Sequence, residues 1–217
     1  MNLTRFRHIR ARRRALKQSI DAFGAFETWE ETCVPSYVHP NRAAAYVAWM
    51  RLFASVDLAG RHTRWGPVLD FGASVGELAH VLPSQAHPYA FVEQEEPAVA
   101  QLLENVPHAE RYTLEAAPEN HFSVVFALDA LEHNEDYAEL LEVLATKLRP
   151  DGLLIVSGPT ENALYKLGRA IARFDSHYHE TDIHAIERAA QRTLRMVDVT
   201  TVPFGVPLFR ISAWKRK

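Results

Sequence analysis

Residues 68–82, VLDFGASVGELAHVL, carry an apolar run into Asp70, Gly72, Ala73, Ser74 and Gly76. Small residues at such a point let backbone N–H groups approach a ligand with no Cβ in the way. At the carboxyl end of a parallel strand, that loop borders the crevice of an open sheet. The glycines do not follow the GxGxxG spacing of a dinucleotide fingerprint, because three residues separate Gly72 from Gly76 and Ser74 stands between them. Further on, Glu93 closes a second apolar run. A carboxylate there can accept both hydroxyl hydrogens of a ribose in two charge-assisted hydrogen bonds. Glu95 and Glu96 follow as solvated acids, and Glu93 is preferred because the strand register ends on it.

These groups must be positioned by strands alternating with helices, the pattern of a parallel sheet covered on both faces. The sequence predicts strands at Pro67–Gly72, Tyr89–Glu93, Arg111–Leu114, Ser123–Leu128 and Leu153–Ser157, with helices near Val75–Leu82, Pro97–Asn105 and Asp136–Leu148. Arg149, Pro150, Asp151 and Gly152 predict a turn before the fifth strand. Helices at Glu161–Phe174 and Ile183–Arg192 and closing strands at Met196–Val202 and Leu208–Trp214 complete the pattern. Ahead of it, residues 2–23 have helical composition, but Arg5, Arg12 and Arg13 intrude on the arc formed by Phe6, Ile9, Leu16, Ile20 and Phe23. Residues 24–40 read as loop. Asn41 then offers an N-cap for a helix from Arg42 to Val56, in which Arg42 and Arg51 are the only charges and near which Gly60 marks an end.

At 217 residues with 47% apolar and 24% charged side chains, the chain suits one large folded domain behind an arm. No apolar run approaches the roughly 20 residues of a membrane-spanning helix, and no secretory h-region is apparent. The single cysteine, Cys33, excludes an internal disulfide and a cysteine zinc cluster and reads as packing in a cytoplasmic protein. The formal net charge of −3 is unevenly spread. Residues 1–20 hold seven cations and no acid, Lys215, Arg216 and Lys217 add three more, and residues 21–214 hold all 27 acids against 14 cations. Peripheral contact of residues 1–20 with an anionic membrane or RNA is thereby raised beside the plainer reading of a solvated helix.

DFGASVG, the Glu93 strand end, FALDALEH at 126–133 and LRPDG at 148–152 resemble the class I S-adenosylmethionine-dependent methyltransferases, most closely the small-molecule branch with an LEH-type motif after strand four. The resemblance spans roughly residues 67–217. It implies an α/β fold, a Rossmann-like doubly wound seven-stranded sheet of order 3-2-1-4-5-7-6 with strand seven antiparallel. It also implies S-adenosyl-L-methionine as cofactor, held by Asp70, Gly72, Ala73, Ser74 and Gly76, by Glu93 at the ribose, by Glu115 near the adenine, and by Leu128 and Asp129 beside the sulfonium. Ser74 stands where the family usually has glycine.

Methyl transfer to a small-molecule acceptor, with oxygen favoured, is the activity this implies. A hydroxyl acceptor gains from a base, for which His133, His177 and His179 are candidates. Thr160, Glu161, Asn162, Tyr165 and Arg169 lie beyond the sheet's carboxyl edge, where the acceptor is shaped, and Tyr37, Arg42 and Tyr46 could close over it. His177 and His179 have a spacing compatible with a metal, but no third ligand stands beside them, so no metal is expected. Residues 1–60 read as a helical arm or lid and 61–217 as the methyltransferase domain. The rival readings are a noncatalytic binding module using the basic arm, a nicotinamide or nucleotide-sugar oxidoreductase, and an RNA methyltransferase. Oligomeric state is left open by the sequence.

Overall fold

The apolar runs pair into one seven-stranded sheet in the computed structural model, which describes residues 3–23, 32–160, 182–203 and 207–217. In chain order the elements are α1 (Leu3–Phe23), α2 (Val34–Val38), α3 (Arg42–His62), β1 (Val68–Phe71), β2 (Tyr89–Val92), α4 (Glu96–Asn105), β3 (Glu110–Arg111), β4 (Phe122–Leu128), a 3-10 turn (Leu131–His133) and α5 (Tyr137–Lys147). There follow β5 (Leu148–Pro159), α6 (Ile183–Ala190), β6 (Leu194–Val202) and β7 (Phe209–Arg216). The sheet order is β3-β2-β1-β4-β5-β7-β6, with β7 antiparallel to both neighbours. Both match the expected topology.

Why the strands read as unbroken apolar runs is plain from their two-residue period. Val124 and Phe126 of β4 and Leu153 and Ile155 of β5 face the core under α1, α3 and α4. Val125, Ala127, Leu154 and Val156 face the second core, under α5 and α6, where Leu141, Leu144, Ile186 and Trp214 pack. Both faces are buried, so no polar alternation remains.

Local differences from the expected elements have local causes. Residues 75–82 form successive turns instead of a helix, with Ala79 N–H donating to Gly76 O (3.1 Å) and Val81 N–H to Leu78 O (3.0 Å). Each bond reaches back only three residues, and Pro83 prevents extension. β3 holds two residues only, because it is an edge strand with exposed side chains. The predicted turn at 149–152 lies inside β5 as a bulge: Phe122 pairs with Leu148, and the next register point joins Val124 to Leu153. Residues 24–40 include α2, and α3 continues past Gly60 to His62, capped at its start by Asn41 Oδ1, which accepts from Ala43 N–H (3.0 Å) and Ala44 N–H (3.4 Å). The predicted helix at 161–174 lies outside the described residues.

The arginines that interrupt the apolar arc of α1 are the residues that dock it. Ile9 and Leu16 are buried, and around them Arg5 donates twice to Asp57 of α3 (2.8 and 2.7 Å). Arg12 donates twice to the buried carboxylate of Glu77 (2.9 and 2.8 Å), and Arg13 donates to the Tyr37 and His39 carbonyl oxygens (3.1 and 2.8 Å). Bidentate pairing of this kind fixes direction as well as distance.

Candidate functional site

The bend after β1 has Gly72, Ser74 and Gly76 at φ +71°, +50° and +80°. Gly72 N–H donates to Val92 O (2.9 Å), which ties the bend to the end of β2. A Cβ on Gly72 would come within 2.6 Å of the Ala130 Cβ, so both the backbone angle and the close approach require glycine. Gly72→Ala is expected to cost about 2–4 kcal/mol of stability, the sum of left-handed strain and overpacking, read by urea denaturation. A loss under about 0.5 kcal/mol would show that the bend yields freely. Ser74 adopts the left-handed angle despite its side chain, and its hydroxyl is buried with no hydrogen-bond partner among the described residues.

Glu93 stands at the end of β2, and its carboxylate is held by three backbone donors. Ser74 N–H reaches Oε2 at 2.7 Å, and Gln94 and Glu95 N–H reach Oε1 at 2.8 and 3.1 Å. The glycine bend and the distal acid are therefore joined directly.

Asp70 is buried at the root of the bend, and Tyr89 donates its hydroxyl to Oδ2 at 2.7 Å. Burial pushes the Asp70 carboxyl up to about 7, opposed by the Tyr89 hydrogen bond and reinforced by the Glu93 charge. The folded state then holds this proton to about pH 7, whereas the unfolded chain releases it near pH 4. Over that interval the folded state binds more protons, so the group erodes stability as pH rises, and above about pH 7 its cost is constant. Asp70→Asn, isosteric and neutral, should therefore gain on the wild type by on the order of 3 kcal/mol between pH 4 and pH 8 in parallel denaturation series. A difference that stays flat across that range would contradict the assignment.

A crevice opens above the bend, lined by Asp70, Gly72, Ala73, Ser74, Leu78 and Leu128, and is roofed by Cys33, Tyr37 and Leu52 from the loop before α2, from α2 and from α3. Beside the roof, the buried Arg51 forms an ion pair with Asp129, which follows β4 and also accepts from Ser157 Oγ (2.8 Å). Arg51 Nη2 lies 3.4 Å from the Tyr37 hydroxyl and 3.9 Å from Cys33 Sγ, and its guanidinium sits over the Phe209 ring at 5.3 Å. Burial alone would lower its pKa, but Tyr37 and Cys33 outweigh that and the net direction is upward. Burial also raises the pKa of Tyr37 and of Cys33. Glu132, in the 3-10 turn after β4, is buried near this group.

Of the residues expected from sequence, the fold gathers Asp70, Gly72, Ala73, Ser74, Leu128 and Tyr37 at one crevice. Gly76 and Glu93 support its bend, and Asp129 stands beside its roof. The other described ones do not line it. Arg42 is exposed near Arg13, and Tyr46 packs on Phe6 of α1 at 6.4 Å. Glu115 is exposed after β3, and His133 is exposed at the end of the 3-10 turn. Thr160 braces the end of β5 by donating to the Pro207 carbonyl (2.5 Å). His177, His179, Glu161, Asn162, Tyr165 and Arg169 lie outside the described residues. Among the described residues no histidine, cysteine and carboxylate cluster could hold a metal.

Arg51, Tyr89, Ser157, Leu52, Leu78 and Cys33 belong to the site and were not expected there. Arg51 did leave a signal, as one of two charges in the otherwise apolar stretch Arg42–Val56.

The residues around the crevice have the chemistry that an adenosyl cofactor of the class suggested by the sequence calls for. The bend admits backbone approach, Ser74 carries an orphaned buried hydroxyl, and Glu93, a carboxylate fixed at a strand end, braces the bend through Ser74 N–H. The sequence of residues 41–193 matches the family model described as a methyltransferase domain. No curated protein matches the sequence. Among solved structures, a Pyrococcus horikoshii protein superposes with a TM-score of 0.67 at 16% identity, over 89% of this chain and 100% of that one. The N-methyltransferase NodS from Bradyrhizobium japonicum, in complex with S-adenosyl-L-homocysteine, gives 0.63 at 11% identity over 94% and 97%. Magnesium protoporphyrin IX methyltransferase from Synechocystis, with the same bound product, gives 0.62 at 17% identity over 88% and 94%.

Proposed function

The chain belongs to the methyltransferase-domain family, and from that premise we propose that it methylates a small-molecule acceptor, with oxygen as the receiving atom. It is an enzyme dependent on S-adenosyl-L-methionine. The observation that carries the reading is the convergence of the left-handed bend and the β4 end beneath a roof from α2, the residue before it and α3, with Glu93 holding the bend through Ser74 N–H.

S-adenosyl-L-methionine, when bound, supplies a methyl group already activated on a sulfonium. In this proposal Glu93 accepts from the ribose hydroxyls, while Asp70, Gly72, Ala73, Ser74 and Gly76 form the wall and floor against the methionine part. Leu128 and Asp129 border the reacting end, and Glu115 contributes at the adenine side. What this chain adds is alignment of acceptor and methyl group and exclusion of water, effects worth up to roughly 7–11 kcal/mol. The roof residues Cys33, Tyr37 and Leu52 are placed to exclude water. Residues 1–60 act as the lid and 61–217 as the domain beneath it.

A hydroxyl acceptor must lose a proton, and a base contributes about 10²–10⁴-fold. His133 is the described candidate, because it ends the turn that follows β4, and His177 and His179 complete the candidate set. Thr160, Glu161, Asn162, Tyr165 and Arg169 border the acceptor, with Tyr37 contributing from the lid side. Cytoplasmic residence belongs to the same proposal and accords with a chain whose one thiol forms no internal disulfide.

Incubation with cofactor carrying a ¹³C methyl group and a panel of small hydroxyl, carboxyl and amine compounds tests the proposal. An oxygen-bound methyl signal appearing with S-adenosyl-L-homocysteine supports it. Label found on nitrogen or carbon overturns the choice of atom, and cofactor binding without turnover across the panel favours the noncatalytic module.

A further inference from the structure

We infer that α1 presents a docking face for an anionic lipid bilayer. Of the seven cations in residues 1–20, the fold engages Arg5, Arg12 and Arg13. The other four, Arg7, Arg10, Arg14 and Lys17, are exposed, and none is paired with an acid among the described residues. At 3.6 residues per turn these four side chains leave the helix within about 80° of one another, opposite the buried Ile9 and Leu16.

Two large apolar side chains accompany the row at its amino end. Leu3 is 64% exposed and falls inside the same arc, and Phe6, 38% exposed, lies at its border. Cations with an exposed apolar pair are the composition of a helix that lies in a membrane interface, where acyl chains take the apolar groups and headgroups take the charge. Single-stranded nucleic acid calls for aromatic platforms spaced along a basic track, and among the described residues Phe6 is the only aromatic on this face. Charge distribution points the same way. Residues 21–214 carry a formal −13, so an anionic surface repels the body of the molecule and meets it at α1. The inference concerns the outer face of α1, whose other side docks on Glu77 and Tyr37, and stands whichever acceptor is methylated.

Co-sedimentation of the full chain with vesicles tests it. Low-salt binding is expected to phosphatidylcholine vesicles containing phosphatidylglycerol and not to pure phosphatidylcholine. Each cation near an anionic surface contributes about fivefold to partitioning, so the fourfold variant R7E/R10E/R14E/K17E should bind at least about 100-fold more weakly. Its melting temperature should match the wild type, since these side chains are solvated. The pairs R7E/R10E and R14E/K17E provide graded intermediates, and replacement of the three arginines by lysine should preserve binding. Leu3→Asp should weaken binding severalfold at high salt, where headgroup attraction is screened. The inference is overturned if the wild type stays in the supernatant at millimolar lipid, if the fourfold variant binds as the wild type does, or if the chain binds an RNA homopolymer and ignores both vesicle types.

Discussion

Glu93→Ala is expected to weaken binding of S-adenosyl-L-homocysteine by about 100-fold or more in calorimetric titration of folded protein. Two charge-assisted hydrogen bonds to ribose hydroxyls disappear, each worth about 1.5–3 kcal/mol. A second effect compounds the first. Ser74 N–H, Gln94 N–H and Glu95 N–H all donate to this carboxylate, so its removal also loosens the bend at Ser74, while the backbone tie of Gly72 N–H to Val92 O remains. The stability cost should be about 1–3 kcal/mol, the penalty of leaving a partly buried N–H without its acceptor. Glu93→Gln keeps one acceptor oxygen and should fall between the two proteins. Unchanged affinity in a folded Glu93→Ala protein would remove Glu93 from the ribose site.

Arg51→Met is expected to destabilise the fold by about 3–5 kcal/mol, because it leaves the shielded Asp129 carboxylate without its cation. The side chains of the pair are only 3% and 13% exposed, so solvent screens them little. Ser157 continues to donate to Asp129 but cannot neutralise it. The test separates the pair from simple packing. The double variant Arg51→Met with Asp129→Asn removes both charges and should recover most of the loss, since replacing a whole buried pair is often nearly neutral. Equal denaturation midpoints for single and double variants would mean that the loss came from packing against Tyr37 and Phe209 and not from an unpaired charge.

The sheet was legible in the sequence because β1, β2, β4 and the inner part of β5 are buried on both faces and so appear as short apolar runs. The glycine bend was legible because positive φ restricts residue choice; only the acceptance of that angle by Ser74 was unusual. The turns at 75–82 were read as a helix because their residues have helical composition, and composition does not distinguish repeated three-residue turns from a continuous ladder. The arm was hardest to read. Arg5, Arg12 and Arg13 looked like flaws in an apolar arc, yet each meets an acceptor supplied by a distant segment: Asp57, Glu77 and the α2 carbonyls. In α3 the same obstacle hid the importance of Arg51, whose partner lies beyond β4 and is joined to it only by the fold. Residues singled out from the arm by type alone went elsewhere: Tyr46 packs under α1, and Arg42 points into solvent.

Crystals of the protein grown with S-adenosyl-L-methionine would test the central claim most directly. The adenosyl group should occupy the crevice between the Gly72–Gly76 bend and the roof of Cys33, Tyr37 and Leu52, with ribose hydroxyls on the Glu93 carboxylate and the sulfur near Leu128. Density for the cofactor at any other place, or a crevice that stays closed by its own side chains at saturating cofactor, would contradict the account.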